Sequence, residues 1–320
     1  MFKEIDHRRK CSPQSRVWMA LNRLDALKDD LDGIEKRNEA QVQPFVSDHV
    51  LALEGILEGN IDLTFSEVSE QDLKAAGVIW KPLTINYAKL SELTEALKTN
   101  AEAETIVLDL YSRVKKIYAH INIAYERAFR MIIDAVLFAL VEIMSTTERS
   151  VAIYPDMKID PGAGVHIVDP VSEYKLWLSG SIDYAIFEYE NTEDNRATML
   201  YPGVGNFHTV NTATRQMYVC EAKHQKEDGV GSYSPEAVSQ AIAALKNAGL
   251  SEVRFCLSDG EKWKFYILKE QNETLTYYEP LMGIALSRES IERSDKELRV
   301  ILLLLCEWLK PTVTDLYSAE

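Results

Sequence analysis

Apolar residues recur at three- and four-residue spacing through most of the first 146 positions, the period of an amphipathic helix. Val17, Leu21, Leu24, Leu27, Leu31 and Ile34 predict a helix within residues 13–39, charged on its other face and suited to packing or to a partner. Val50, Leu51, Leu53, Ile56 and Leu57 predict a second over about 47–59, stopped by Gly59-Asn60. Ser69, followed three positions later by Asp72, has capping-box character and opens a short helix that Gly77 ends. Ile79-Trp80-Lys81-Pro82 reads as a linker or short extended segment, and a further helix follows over roughly 88–98. Residues 1–100 thus form a helical N-terminal region without recognisable chemistry. From 101 to 146 the helical pattern is long, with room for one break. It carries Ile117, Ile121, Ala124, Ala128, Ile132, Ala135 and Ala139, and turns apolar on most sides from Met131 onward, as a buried helix does. Glu126 stands in its middle beside Arg127 and Arg130.

After Thr146-Thr147 the pattern changes to strands and turns. Val151–Tyr154 is short and apolar, and Asp160-Pro-Gly-Ala-Gly is a turn. Tyr174–Leu178 and Ile182–Tyr189 read as a bent strand or hairpin about Ser179-Gly180-Ser181. A polar excursion over about 190–213 leads to the strand Met217–Lys223. Ser234-Pro235-Glu236 opens a helix in the order cap, proline, acid; Val238, Ile242 and Leu245 are its buried positions, and Gly249 closes it. Val253–Ser258 and Lys264–Leu268 are strands bridged by Asp259-Gly260, and a last helix spans about 288–309. Helices alternating with strands in this order predict an α/β fold: a mixed central β-sheet flanked by helices, occupying residues 101–320.

Composition narrows the classes. The chain of 320 residues is 46% apolar and 27% charged, an ordinary globular balance, and can bury a large core. A formal net charge of −15 argues against a general basic nucleic-acid coat and against adhesion to anionic membranes, while leaving room for a locally basic cleft. Cys11, Cys220, Cys256 and Cys306 are scattered without the paired spacing of a zinc site. The N-terminus lacks the apolar stretch of a signal peptide, and Val300–Cys306, the longest apolar run, is too short to span a bilayer. An intracellular chain, cytoplasmic or nuclear, is expected.

Acid-x-lysine triplets occur at Asp72-Leu-Lys74, Asp156-Met-Lys158, Glu173-Tyr-Lys175 and Glu221-Ala-Lys223. Only the last ends a well-formed apolar strand, where positions i and i+2 leave one face together. Upstream, Asp183 interrupts an otherwise apolar strand; downstream, Gln240 lies one to two turns into a helix. An acid on one strand, acid-x-lysine on the next and a helix bearing glutamine resembles the PD-(D/E)xK nuclease superfamily over residues 115–270, with a diffuse similarity to fungal and oomycete Crinkler-type effector modules. The resemblance implies a restriction-endonuclease-like core. It implies that Asp183 and Glu221, joined by the Ala222 carbonyl, bind Mg²⁺ or Mn²⁺, which hard oxygen ligands suit. Lys223 would orient or deprotonate the attacking water and offset phosphate charge, and Gln240 would position Lys223 or a phosphate. Glu126 matches the acidic helix ahead of such cores and would hold a second-shell water or second metal.

The departures are an isoleucine where many members have proline before the first acid, and a long gap between Asp183 and Glu221. Pro155-Asp156 followed by Glu173-Tyr-Lys175 matches the pattern literally but ranks second, because Pro161, Gly162, Gly164 and Pro170 interrupt the connecting chain. The plain alternatives are a Glu221–Lys223 salt bridge at a strand end, Asp183 capping a turn, and Glu126 on a partly solvated face. Lys226, Lys262, Lys264 and Arg215 are candidates for a basic cleft, with a solvated face slightly favoured; His166, His208 and His224 show no ligand spacing, although His224 adjoins the proposed site. Trp263, Tyr266 and the Tyr277–Tyr278 pair read as packing. The expected activity is metal-dependent phosphodiester hydrolysis in DNA, with RNA the second choice. The alternative is a catalytically inactive nucleic-acid-binding or protein-interaction module, with a protein partner on the N-terminal helices.

Overall fold

A computed structural model describes residues 61–123, 125–159, 165–168, 174–201, 206–221 and 230–319. The helices expected within 13–39 and 47–59, Ala222, Lys223 and His224, and the Glu173 of the second pattern lie outside this set. The described chain begins with β1 (Ile61–Thr64), α1 (Glu70–Ala75), β2 (Ile79–Ile85), α2 (Tyr87–Thr99), α3 (Ala101–His120) and α4 (Glu126–Met144). Next come β3 (Arg149–Lys158), β4 (Val165–Val168), β5 (Lys175–Ser179), β6 (Ser181–Glu190), α5 (Glu193–Leu200), α6 (Asn206–Thr212) and β7 (Arg215–Glu221). It ends with α7 (Ser234–Asn247), β8 (Glu252–Ser258), β9 (Lys262–Gln271), β10 (Thr274–Pro280), β11 (Ile284–Ala285), α8 (Arg288–Arg293), α9 (Lys296–Leu309) and β12 (Tyr317–Ala319).

The large sheet has the order β12-β2-β10-β9-β8-β7-β6-β3, with β11 paired to β9. β3, β6 and β7 form an antiparallel meander, whereas β7 and β8 are parallel, because α7 carries the chain back across the sheet between them. Pleating sorts the side chains into two cores. Ala185, Phe187, Tyr218 and Cys220 face α7 and a small sheet of order β1-β5-β4. Tyr184, Ile186, Met217 and Val219 face the other core, which α2, α3, α4, α8 and α9 supply. The expected mixed α/β sheet flanked by helices is therefore the observed architecture. No helix among the described residues is long and apolar enough to cross a membrane.

Several local expectations differ from the structure. The long helical pattern divides at residues 121–125, so Glu126 is the first residue of α4 rather than the middle of a helix. The last helix likewise divides into α8 and α9. Tyr174–Tyr189 is not a hairpin: β5 joins the small sheet and β6 the large one. The junction is Gly180, at φ +142°, where an added Cβ would lie 2.7 Å from the Phe65 ring. Residues 79–85, read at their start as a linker or short extended segment, take the extended form as β2 and join the large sheet between β10 and β12. Pro82 is tolerated there because the β12 pairing ends at Leu83. The excursion over 190–213 contains α5 and α6.

Gly260 ties the β8–β9 turn to α4. Its φ is +86°, and an added Cβ would meet the Phe129 carbonyl oxygen at 2.8 Å. Gly260→Ala combines left-handed strain with a backbone clash and should cost about 2–3 kcal/mol in urea unfolding.

Candidate active site

Parallel β7 and β8 end at one edge of the sheet, and α7 returns from that edge. Antiparallel β6 and β9 begin there, so the edge gathers one strand start after another around the first turns of α7. Ligands of open α/β sheets bind outside such carboxyl ends.

Asp183 is the third residue of β6 and Glu221 the last of β7. The Tyr184–Val219 pair fixes their relation: Asp183 lies one position beyond it and Glu221 two, on adjacent strands. The Glu221 backbone also pairs with Ser258 of β8. The side chains of Glu221 and Glu126, and all of Ala222 and Lys223, lie outside the described residues. Glu126 is placed by its backbone at the start of α4.

Gln240 comes to Asp183 from above. Small residues, Ala237 and Ala241, flank it on α7 and are both buried, so the helix lies close on the sheet. Gln240 is 3% exposed. Its Nε2 donates to Asp183 Oδ2 at 3.3 Å, while its Oε1 is buried without a hydrogen-bond partner among the described residues. A buried amide oxygen left so costs about 1–3 kcal/mol, a debt that a donor or cation at the site would cancel.

Cys220 completes the surroundings of Asp183. The thiol is buried beside the Asp183 carboxylate. Burial pushes the thiol well above its ordinary range, and the negative charges of Asp183 and Glu236 add to the rise. It is therefore a neutral S–H at physiological pH rather than a thiolate. On the opposite face, Tyr184 Oη donates to Asp134 Oδ1 at 2.9 Å and ties β6 to α4 beside the site. Sequence reading missed Cys220 and Asp134. Asp134 did carry a signal, a carboxylate inside the apolar half of a helix.

A second polar group lies farther along the same edge. Glu279 Oε1 accepts from Lys264 Nζ at 2.9 Å, Tyr266 Oη at 3.1 Å and Ser234 Oγ at 3.1 Å. Glu279 Oε2 accepts from Trp80 Nε1 at 3.1 Å. Ser234 was expected to cap α7, but Tyr233 occupies the N-cap position without a side-chain cap bond. The Ser234 hydroxyl is drawn sideways into this network instead. Of the basic-cleft candidates, Lys264 is committed to Glu279, and Arg215 lies at the far end of β7, paired with the buried Glu188 at 2.6 Å. Lys262 is exposed, and Lys226 lies outside the described residues. His166 packs against Trp177, and Trp263, Tyr266, Tyr277 and Tyr278 are all core residues.

The donor set fits a hard divalent cation: a carboxylate bonded by an amide whose own oxygen has no hydrogen-bond partner among the described residues. Among the described residues no group of three or more His, Cys, Asp and Glu side chains converges as a metal cage would. The other expected ligands, the Glu221 carboxylate and the Ala222 carbonyl, belong to atoms beyond that set. Compared with known proteins, the chain matches no protein-family model and no curated protein.

Proposed function

We propose that the chain is a divalent-metal-dependent nuclease that hydrolyses phosphodiester bonds, in DNA before RNA, with its centre at Asp183, Glu221, Ala222, Lys223 and Gln240. The observation that carries this reading is the hydrogen bond from Gln240 to Asp183 at the carboxyl edge of β7 and β8. It lies within a core of one helix, three antiparallel strands, a crossover helix and a parallel strand, α4-β3-β6-β7-α7-β8. That order suits the resemblance to the PD-(D/E)xK superfamily, which wants the first acid on the middle strand and acid-x-lysine at the end of the third.

In this reading Asp183, Glu221 and the Ala222 carbonyl would hold Mg²⁺ or Mn²⁺. The bound ion would polarise a phosphoryl oxygen and lower the pKa of the attacking water. The hydrogen bond from Gln240 to Oδ2 helps hold the Asp183 carboxylate in one orientation. Lys223 would offset phosphate charge and orient the water, and the free Oε1 of Gln240 would accept from Lys223 or from a metal-bound water. Glu126, at the start of α4, would serve a second-shell water or a second ion. The network about Glu279 fixes the first turn of α7 and, through it, Gln240.

The test is cleavage of end-labelled single- and double-stranded DNA and RNA by the full chain, with Mg²⁺ or Mn²⁺ and with chelator. Metal-dependent cleavage that Glu221→Ala and Lys223→Ala each abolish is the expected result. Activity surviving both substitutions would reassign the centre. Nucleic-acid or protein binding without cleavage by the wild type would favour the alternative, an inactive PD-(D/E)xK-like module, with which the net charge of −15 is compatible.

A further inference from the structure

β3 brings a second aspartate to the same place. β3 and β6 pair on either side of it, Pro155 with Tyr184 and Met157 with Ile182, so Asp156 stands across the ladder from Asp183. Like charges directly opposite each other on antiparallel strands are destabilising. Asp156 also takes the left-handed conformation, φ +50°, inside a strand. Such backbone costs a non-glycine residue on the order of 1 kcal/mol, least for Asp and Asn, and re-aims the side chain out of the regular pleat.

Both strands change face at this point. Tyr154 and Met157, three positions apart, pack in the same core, and so do Ile182 and Ala185 across from them. A regular strand alternates with period two and would send each pair to opposite faces. The break in the pleat therefore falls at Asp156 on one strand and Asp183 on the other. Asp156 is exposed and, among the described residues, makes no hydrogen bond or ion pair. An independent observation points to a ligand here: Gln240, 3% exposed and bonded to Asp183, keeps its Oε1 unpartnered.

We infer that Asp156 is a further carboxylate of the candidate metal centre, binding the divalent cation with Asp183 from across the β3–β6 ladder. The inference rests on the reading of this edge as a metal site, but not on phosphodiester cleavage. It also accounts for the cost of setting two carboxylates opposite each other, which a cation between them would offset. A substitution that removes the charge should therefore act with opposite signs on stability and on metal binding.

The experiment is calorimetric titration of the full chain with Mn²⁺ alone, together with thermal unfolding in chelator. Asp156→Asn keeps the tolerance for left-handed backbone and removes only the charge. It should weaken Mn²⁺ binding at least about tenfold while leaving the chelator-measured melting temperature unchanged or higher. Asp156→Gly, which suits φ +50° better still, should show the same loss of Mn²⁺ with a further rise in melting temperature. Wild-type Mn²⁺ affinity in Asp156→Asn, with affinity lost in Asp183→Asn, would overturn the role of Asp156 and leave the metal centre standing. Failure of the wild type to bind Mn²⁺ would overturn both. Mn²⁺ binding that depends on Asp156 without cleavage of any nucleic acid would remove the nuclease reading and keep this inference.

Discussion

Asp183→Asn is expected to lower metal-dependent cleavage at least ~100-fold, about 2.7 kcal/mol of barrier, without unfolding the chain. The asparagine side chain has the shape of aspartate, and its Oδ1 can still accept from Gln240 Nε2. The packing around it, Ala185 and Cys220 on the sheet and Ala237 and Ala241 on α7, is untouched. What disappears is the anionic oxygen that would bind Mg²⁺ or Mn²⁺. Single-turnover cleavage beside a thermal melt separates the two effects. Activity within about threefold of wild type in a folded variant would take Asp183 out of the centre.

Arg299→Met should cost stability on a comparable scale, about 3 kcal/mol in urea unfolding, at a place remote from any catalysis. Arg299 lies in the first turn of α9 and is 2% exposed. Its guanidinium bonds both Glu104 oxygens on α3, one of them at 2.8 Å, and Asp295 Oδ2 at 2.5 Å. Methionine matches the aliphatic stem but abandons two carboxylates that are themselves only partly exposed, 29% and 21%. Hydrogen bonding to Arg299 holds Glu104 below its ordinary 4.5 and Asp295 below its ordinary 3.8. Groups lowered in the folded state stabilise fully above those ordinary values, and that contribution is lost as pH falls through the folded ones. Wild type should therefore lose stability on acidification below about pH 4, and the variant should show a flatter acid limb. Equal slopes in the two proteins would mean that the cluster contributes little.

What the sequence made legible was chiefly local. The capping box of Ser69 and Asp72, the proline and acid at the start of α7, and the buried stripe of Val238, Ile242 and Leu245 depend on near neighbours, and each element formed. Strands that depend on distant partners were harder. β2, β10 and β12 hold one another at one side of the sheet, and neither Ile79–Ile85 nor Thr274–Pro280 alternates cleanly enough to announce itself. The candidate centre divides the same way. Asp183 and Gln240 stood out as polar residues in apolar elements, and their side chains are hydrogen-bonded. Cys220 is unremarkable along the chain, and Asp156 stood out only as the acid of a second-ranked pattern; the register of β6 against β7 and β3 is what brings them to Asp183. Period-two reasoning also fails at the break in the pleat, because a left-handed residue within a strand has no signature beyond its being aspartate.

Glu279 has a consequence for how the chain can be dissected. Its two oxygens join Trp80 of β2, Lys264 and Tyr266 of β9, and Ser234 at the start of α7. The helix that carries Gln240 is thereby moored, through Glu279, to a strand about 150 residues away in sequence. A fragment beginning at residue 101 would lack Trp80, leave β10 with an open parallel edge and free one oxygen of the mooring carboxylate. The half that carries the candidate site and the segment before it thus share one sheet, and a fragment that keeps β2 should resist urea better than one that begins at residue 101.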